Sequence, residues 1–548
     1  VERDLTIAVA SDDTEGVDTA TGGCTPITGN LRVRVVDAET GAVIPEPYVQ
    51  VGPNAAGRLV LDAESALGGE DGAGPVSVRG GDDGVVTFLD FGDTLRGPQT
   101  VTVTAEGYEY VSLVANEASA LNIALRRADP ERGPRSTIRG RMIDFDNLRR
   151  DGQADLGLVL GSFDLPFLAT FALSRLMSRL TCWDPVTQGL AAGFVAEAAV
   201  PGNLYVPGQP ERIGILPATV EEHRFSLSDV PHGRDNFIAL AGKVPVGDIV
   251  GVLAGGGDLS AMIQLLTPAE IGVLQDLNVQ GDRENLDMSL ASSLNENARC
   301  RFDNVPAGAG MFCLSAGDWS GGDGSGRLFP MGLASMDAAA IRRGRGNPLE
   351  LDLTTVAPQG AFIGIGYLGA AVALYLDADD APAGQAAAVA AIIDRFGIGA
   401  NGGLMTANSF YSTTGLSRDG LEFSWSPVAN DDSPAVDVCR VDIVRVVGSS
   451  YDPGACSENR IDTYELPVWS AYVGGDPGEL VLPRVPGNWP NGATAGIVDV
   501  RDTPANDGLR IRITCHGLGL ANDFNMSHTR FSTLTSALTH VSSNSVNY

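Results

Sequence analysis

Short stretches in which apolar and polar residues alternate recur along the whole chain. Residues 31–36, 99–104 and 438–446 are examples, and asparagine, proline or aspartate stands directly before each of them. Alternation with a period of two is typical of a β-strand with one buried face. The pattern therefore predicts a mainly β chain, a multi-domain string of β-sandwich modules with a few inserted helices.

Two phrases are repeated in the sequence. Residues 223–243 (HRFSLSDVPHGRDNFIALAGK) and 300–318 (CRFDNVPAGAGMFCLSAGD) both combine Arg-Phe, a Val-Pro-x-Gly turn and an apolar stretch that ends in Ala-Gly. A shorter alternating phrase recurs at residues 121–125, 286–290 and 349–353. Repeated strand–turn–strand units indicate repeated sandwiches, and sandwiches of this kind usually position other groups rather than transform them.

Helical spacing of apolar residues is confined to a few segments. It occurs at residues 171–180, inside a longer insertion at 165–200, and again at 260–266 and 268–275. Residues 382–396 are rich in alanine and also predict a helix.

The most apolar run, residues 360–376, is slightly too short to span a membrane and is followed by Asp377. It predicts two buried strands joined near Gly369 and no transmembrane segment.

A chain of 548 residues has room for about three to five domains. The patterns above divide it into five parts. These are an N-terminal strand and acidic linker (1–29), a first sandwich (30–127), a second sandwich with helical insertions (136–290), a third short β unit (291–356) and a C-terminal β domain (357–548).

The first sandwich resembles a known family. A valine-rich strand at 31–36 precedes Asp-Ala-Glu-Thr-Gly at 37–41, Asp-Gly precedes an aromatic strand at 83–88, and a later strand is followed by Gly107-Tyr108. This order is similar to that of the carboxypeptidase regulatory-like family, a transthyretin-like β-sandwich. The resemblance implies that fold and an extracellular or periplasmic location, and it implies no activity.

A second resemblance concerns the C-terminal part. Residues 421–428 (LEFSWSPV) and 438–446 (VCRVDIVRV) look like neighbouring strands of a fibronectin type III-like sandwich within 420–548.

The charge of the chain bears on its partners. A net charge of -31 argues against nucleic acid as a partner, because a phosphate backbone requires clustered Lys and Arg. The same charge disfavours binding to an anionic membrane surface. An acidic surface stays hydrated in salt, which also screens its self-repulsion.

Four of the seven cysteines bracket short turns. Cys300 and Cys313 lie on either side of the Val-Pro-Ala-Gly turn, and Cys439 and Cys456 enclose a Gly-Ser-Ser-Tyr-Asp-Pro-Gly turn. The spacing predicts disulfides within each pair, and disulfides indicate an oxidising compartment. We therefore expect a secreted or cell-surface protein, bacterial extracellular or periplasmic.

Sequence motifs for catalysis are missing. The histidines do not form a zinc-protease pattern, and neither serine of residues 317–326 (GDWSGGDGSG) has the spacing of a nucleophile elbow. A phosphate-binding loop is excluded because the only lysine is Lys243. These absences favour a non-enzymatic protein without a cofactor other than calcium.

Three acidic residues that follow an apolar strand form a candidate calcium site: Asp377, Asp379 and Asp380. Clustered carboxylates at a strand end can supply the oxygen ligands that calcium requires. The alternative is a solvated loop whose acids cap the helix predicted after Pro382.

Residues 4–10 alternate as a strand does, with Leu5, Ile7 and Val9 on one face, and an acidic linker separates them from the first sandwich. This strand can pair with an edge in its own chain or with a second copy, which would give a homo-oligomer or filament. The leading hypothesis is a non-enzymatic structural protein that self-assembles by strand pairing.

Two alternatives stay open. One is a polysaccharide-binding or surface-polymer-binding protein that stacks sugars on Trp319, Trp425, Trp469 or Trp489. The other is a hydrolase with an unrecognised carboxylate pair among its 68 acidic residues.

Overall fold

The chain is described by a computed structural model that consists mainly of β-strands. The residues it describes are 26–38, 41–53, 75–89, 95, 98–128, 135–144, 153–162, 180–183, 198–201, 204–205, 224–245, 266–303, 309–318, 328–336, 349–375, 388–395, 403–407, 410–428, 435–447, 464–490, 509–518 and 538–547.

The first sandwich contains two facing sheets. Its strands are β1 Asn30–Asp37, β2 Tyr48–Pro53, β3 Val76–Arg79, β4 Val85–Leu89, β5 Gln99–Thr104, β6 Tyr110–Asn116 and β7 Ala120–Leu125. β1 lies at the centre of one sheet, antiparallel to β4 and parallel to β7. The other sheet has the order β3-β2-β5-β6. Alternate valines such as Val33 and Val101 are fully buried between the sheets, as the period-two pattern predicts.

The second sandwich repeats this arrangement. Its strands are β8 Arg135–Ile143, β9 Gln153–Gly161, β10 Leu180–Trp183, β11 Ala198–Pro201, β12 Leu204–Tyr205, β13 Arg224–Pro231, β14 Gly233–Pro245, β15 Thr267–Val279 and β16 Arg283–Ser289. β8 is antiparallel to β13 and parallel to β16, as β1 is to β4 and β7. The order β12-β9-β14-β15 corresponds to β3-β2-β5-β6, and β10 and β11 form a separate pair.

The same topology appears a third time. The strands are β17 Ser292–Phe302, β18 Gly310–Asp318, β19 Leu328–Met336, β20 Leu349–Val356, β21 Gly366–Tyr375, β22 Ala388–Arg395 and β23 Gly403–Ala407. β17 is antiparallel to β20 and parallel to β23, and the second sheet has the order β19-β18-β21-β22.

The last sandwich has a different topology. Its strands are β24 Ser412–Asp419, β25 Glu422–Val428, β26 Val438–Val447, β27 Tyr464–Gly474, β28 Glu479–Val481, β29 Leu509–Leu518 and β30 Leu538–Asn547. One sheet has the order β24-β25-β28, and the facing sheet has the order β27-β26-β29-β30. The apolar core between them includes Trp425 and Ile511.

Edge strands join the sandwiches to one another. β22 of the third sandwich pairs with β30, and β27 pairs with β6 of the first, so that a 12-stranded sheet runs from β19 to β3. β15 and β17 link the second sandwich to the third, and Ile238 and Phe329 share an apolar core at that contact. Along the paired sheets the order of the sandwiches is second, third, last, first.

The multi-sandwich β architecture is confirmed, whereas two of the predicted helices are wrong. Residues 268–275 lie in β15, between β14 and β17, and residues 388–395 form β22, between β21 and β30. Pairing with distant strands on both sides overrides the helical spacing of these segments. The predicted helical segments at 171–179 and 260–265 lie outside the described residues.

The apolar run at 360–376 also differs from its prediction. It contains one turn of 3₁₀-helix, Gly360–Phe362, followed by the single strand β21, and Gly369 lies within that strand. In the described part of the chain, no helix combines the length and apolar character needed to cross a membrane.

The phrase repeated at 121–125, 286–290 and 349–353 falls on strands with two different roles. In β7 and β16 it lies on the strand parallel to the first strand of its sandwich. In β20 it lies on an antiparallel neighbour of β17, and β23 occupies the parallel position instead. The predicted domain boundaries remain a prediction, since strand pairing by itself does not delimit domains.

Candidate functional site: the joint between the first and last sandwiches

The joint between the first and last sandwiches is made by two parallel edge strands. β6 and β27 pair from Tyr110 opposite Trp469 to Val114 opposite Val473. The Trp469 indole N–H also donates to Ser112 Oγ at 2.9 Å, across a sequence separation of 357. Strand pairing therefore extends the sheet of the first sandwich directly into the last one.

Aromatic side chains pack beside this strand pair. Tyr110 stacks on Trp469 with ring centroids 4.9 Å apart, and Trp489 lies 6.2 Å from the same tyrosine ring. Tyr48 of β2 lies 5.7 Å from Trp489, and the Tyr110 hydroxyl donates to the carbonyl of Pro490. Stacked aromatic pairs contribute about 0.5–1.5 kcal/mol beyond the area they bury. Residues 489–490 thus fasten the last sandwich to the sheet of the first.

A buried network of ion pairs crosses the joint. Arg126 donates to both carboxylate oxygens of Glu109, at 2.8 and 2.7 Å, within the first sandwich. The same guanidinium donates to Asp442 at 3.2 Å and to Ser470 Oγ at 2.8 Å in the last sandwich. Arg440 donates to the Asp442 carboxylate at 2.8 Å. Two arginines thus balance two carboxylates, which buried charges require.

The carboxylates of this network are almost completely buried from solvent. The side chain of Glu109 is 2% exposed and that of Asp442 is 5% exposed. Tyr472 packs beside them, with the Arg440 guanidinium 5.5 Å from its ring centroid. Burial raises the pKa of the Tyr472 phenol, so the group stays neutral next to the ion pairs. Buried, charge-balanced ion pairs of this kind indicate a fixed contact between the two sandwiches.

Two disulfides reinforce the third and last sandwiches. Cys300 of β17 is bonded to Cys313 of β18, as predicted, and the bond connects the two sheets of the third sandwich. The predicted bond between Cys439 and Cys456 is wrong, because Cys439 is bonded to Cys515. Cys439 and Cys515 are direct partners on β26 and β29, a relationship that a sequence separation of 76 hides. Cys456 lies outside the described residues.

An acidic side chain lies beside the second disulfide. Asp476, Cys439 and Cys515 bring three potential metal-ligand atoms within 4.8 Å of one another. The two sulfur atoms are bonded to each other, so they are not thiolate ligands in this state. Asp476 instead accepts hydrogen bonds from the Trp425 indole at 2.6 Å and from the Gly478 amide at 3.2 Å. Burial raises the pKa of its carboxyl, against the effect of the Gly478 hydrogen bond.

One serine and one histidine have the spacing of a nucleophile and its base. Ser136 Oγ lies 2.7 Å from His232 Nε2 at the edge of the second sandwich. Ser136 is 4% exposed, however, and a substrate carbonyl must reach the nucleophile in acyl transfer. The pair fixes the turn between β13 and β14 against β8.

The sequence-predicted sites have different outcomes. Asp377, Asp379 and Asp380 lie outside the described residues, as do Leu5, Ile7 and Val9 and the Trp319 side chain. The other proposed sugar-stacking residues are buried, with exposed fractions of 4%, 0% and 5% for Trp425, Trp469 and Trp489. They are core and joint residues rather than a surface for sugar rings.

The joint residues were missed from sequence, because no local pattern relates Arg126 to Asp442. A second missed feature does have a sequence signal: the first strand of each repeated sandwich carries Arg-x-Arg. The doublets are Arg32 and Arg34, Arg139 and Arg141, and Arg299 and Arg301. Those of β8 and β17 form cross-strand ion pairs, such as Arg141 with Asp287 and Arg299 with Asp352. The same spacing also occurs at 343–345 and 510–512, so the doublet alone does not identify a repeat.

Comparisons with known proteins give distant likenesses. No family model and no curated protein matches the chain. Among 22 matching chains of solved structures are pilus proteins.

A double mutant of the shaft pilin SpaA from Lactobacillus rhamnosus GG is 12% identical, with 49% of this chain and 100% of that chain covered and a TM-score of 0.12. A streptococcal ancillary pilin is 8% identical, with 69% and 98% covered and a TM-score of 0.12. The pilus adhesin SpaC from L. rhamnosus GG is 9% identical, with 87% and 55% covered and a TM-score of 0.11. At such TM-scores a likeness decides neither fold nor function.

Proposed function

We propose that this chain is a non-enzymatic structural protein of the cell surface or extracellular space, and that it assembles with copies of itself. The observation that carries the proposal is the edge-to-edge joining of sandwiches into a 12-stranded sheet. Main-chain hydrogen bonds supply the affinity of such strand addition, and a second copy can make them at a sheet edge in the same way. The buried contacts of the joint hold the two sandwiches in a fixed arrangement.

The two disulfides support the proposed location. Cys300–Cys313 and Cys439–Cys515 each connect strands inside a sandwich core. Structural disulfides persist in secreted and surface proteins and are rare where thiols are kept reduced. The acidic surface, with a net charge of -31, keeps copies apart until specific strand pairing brings them together.

Strand topology supports a modular organisation close to the one expected from sequence. We place the three repeated sandwiches at residues 30–127, 136–290 and 291–407, and the last at 408–548. The third extends beyond residue 356 because β23 supplies the strand parallel to β17. Carboxypeptidase regulatory-like and fibronectin type III-like folds remain our proposals for the repeated and the last sandwiches.

The proposed assembly element is the N-terminal strand, residues 4–10. Native-state light scattering and electron microscopy of the full chain, and of the chain lacking residues 1–20, test this assignment. We expect larger oligomers from the full chain than from the truncated one. Ile7→Pro should act like the truncation, because proline removes a ladder hydrogen bond, whereas Ile7→Val should assemble normally. Monomers from the full chain would contradict self-assembly itself.

We also propose that Asp377, Asp379 and Asp380 bind calcium. Isothermal titration calorimetry with calcium chloride tests this proposal. Calcium binding that is lost in Asp379→Asn and kept in Asp303→Asn supports the site. Equal heats from both variants would refute it.

A further inference from the structure

The joint between the first and last sandwiches connects parts of the chain that are not neighbours in sequence. Among the described strands of the first sandwich, β6 pairs with β27, and none pairs with any strand from β8 to β16. The first sandwich is therefore followed in the chain by the second sandwich but is paired with the last one. Residues 129–134 (DPERGP) connect it to β8, and prolines and glycine are common where domains are joined.

The joint has two halves, the surface around β6 and the surface around β27, and solvent exposure of either half would be unfavourable. Separation would expose Trp469 and Tyr110, which are 0% and 1% exposed. It would also open two strand edges, which attract other strands, and remove Arg126 from Asp442. Each half is therefore stable only when it is paired with a complementary half.

The two halves are different surfaces on different sandwiches. An interface of this heterologous type makes a closed monomer when both halves belong to one chain. The same contacts made between chains give a closed pair or a head-to-tail polymer. Because the contacts are identical in both cases, the balance depends on the connection at 129–134 and on the chain concentration.

We infer that the first sandwich is exchanged between copies, so that β6 of one chain pairs with β27 of a second copy. This inference rests on the proposed self-assembly and names a second assembly contact in addition to residues 4–10. The exchanged joint keeps the buried ion pairs between Arg126, Glu109 and Asp442 and the stack of Tyr110 on Trp469. Assembly by exchange therefore needs no surface that the single chain lacks.

Paired cysteines across the strand register test the exchange. Val114 and Val473 are direct partners. Two differently tagged full-length chains, one with Val114→Cys and one with Val473→Cys, are co-expressed, purified on both tags and run on a non-reducing gel. We expect a covalent dimer from this pair. The matched control replaces Val473→Cys by Val481→Cys, an exposed position on β28 outside the joint, and should give no dimer above wild type.

A single chain with both Val114→Cys and Val473→Cys shows whether the geometry permits the bond, through loss of the two introduced thiols. If it does not, Ser112→Cys and Ala471→Cys, also direct partners, take their place. No dimer from a pair that bonds within one chain would overturn the exchange, as would equal dimer from the Val481→Cys control. Light scattering of the same samples separates the two proposals: oligomers without the matched cross-link leave self-assembly in place through another surface.

Discussion

Arg126 of the first sandwich donates a 3.2 Å hydrogen bond to Asp442 of the last, although 316 positions separate them in the sequence. The same guanidinium holds Glu109, so one side chain links the carboxylates of two sandwiches. With Tyr110 and Trp469 packed beside it, this contact defines how the end of the chain is held against its beginning.

Removing the Arg126 guanidinium should destabilise the chain strongly. Arg126→Met leaves Glu109 and Asp442 buried with less compensating charge, and breaking a buried pair costs about 3–5 kcal/mol. Urea unfolding followed by tryptophan fluorescence measures the change. The control is Arg139→Met, whose pair with Glu284 is half exposed and should change stability by less than about 1 kcal/mol. Equal effects of the two substitutions would show that the network does not hold the joint.

Peptide mapping can test the disulfide pairing directly. Non-reducing peptide mapping should recover Cys300 with Cys313 and Cys439 with Cys515. In the chain-entropy relation, breaking the bond that closes the longer loop, by the double change Cys439→Ala and Cys515→Ala, costs about 4.5 kcal/mol, against about 3 kcal/mol for the shorter loop. A peptide that joins Cys439 to Cys456 would contradict the structure.

His540 should make stability fall as the solution becomes acidic. It is 2% exposed, and burial lowers its pKa from 6.5 to about 4. Between these values the unfolded chain binds a proton and the folded chain does not, so stability is lost as the pH falls from about 6.5 to 4 and levels off below that. The full loss is of order 3 kcal/mol by the relation of 1.36 kcal/mol to one pKa unit.

The contribution of His540 is isolated by His540→Gln, compared with the native chain in urea unfolding at several pH values. The difference in unfolding free energy between the two proteins should vary across this window and be constant above it. A difference that is independent of pH would mean that His540 is protonated equally in both states.

Adding a side chain at Gly140 should destabilise the second sandwich. A Cβ at this position would lie 1.7 Å from the Leu286 carbonyl oxygen of the neighbouring strand β16, so that backbone would have to move. Gly140→Ala should therefore lower the unfolding temperature by several degrees, since overpacking typically costs about 1–3 kcal/mol. Gly281→Ala, with nothing within 4 Å of the added carbon, is the control and should be close to neutral. Calorimetry of both variants decides the matter.

Local sequence was sufficient for strands with clear alternation and for one of the two disulfides predicted across a turn. Alternating residues such as Val33 and Val35 predict a half-buried strand because the period is set by backbone geometry. Cys300 and Cys313 were paired correctly because a single turn brings their strands together.

Tertiary structure decided everything that depends on which distant strands meet. Cys439 faces Cys515 because β26 pairs with β29, and residues 388–395 are a strand because β21 and β30 flank them. Trp469 is a joint residue because β27 extends the sheet of β6. The free energy of such pairings comes from residues tens to hundreds of positions apart, so no short window of the sequence contains it.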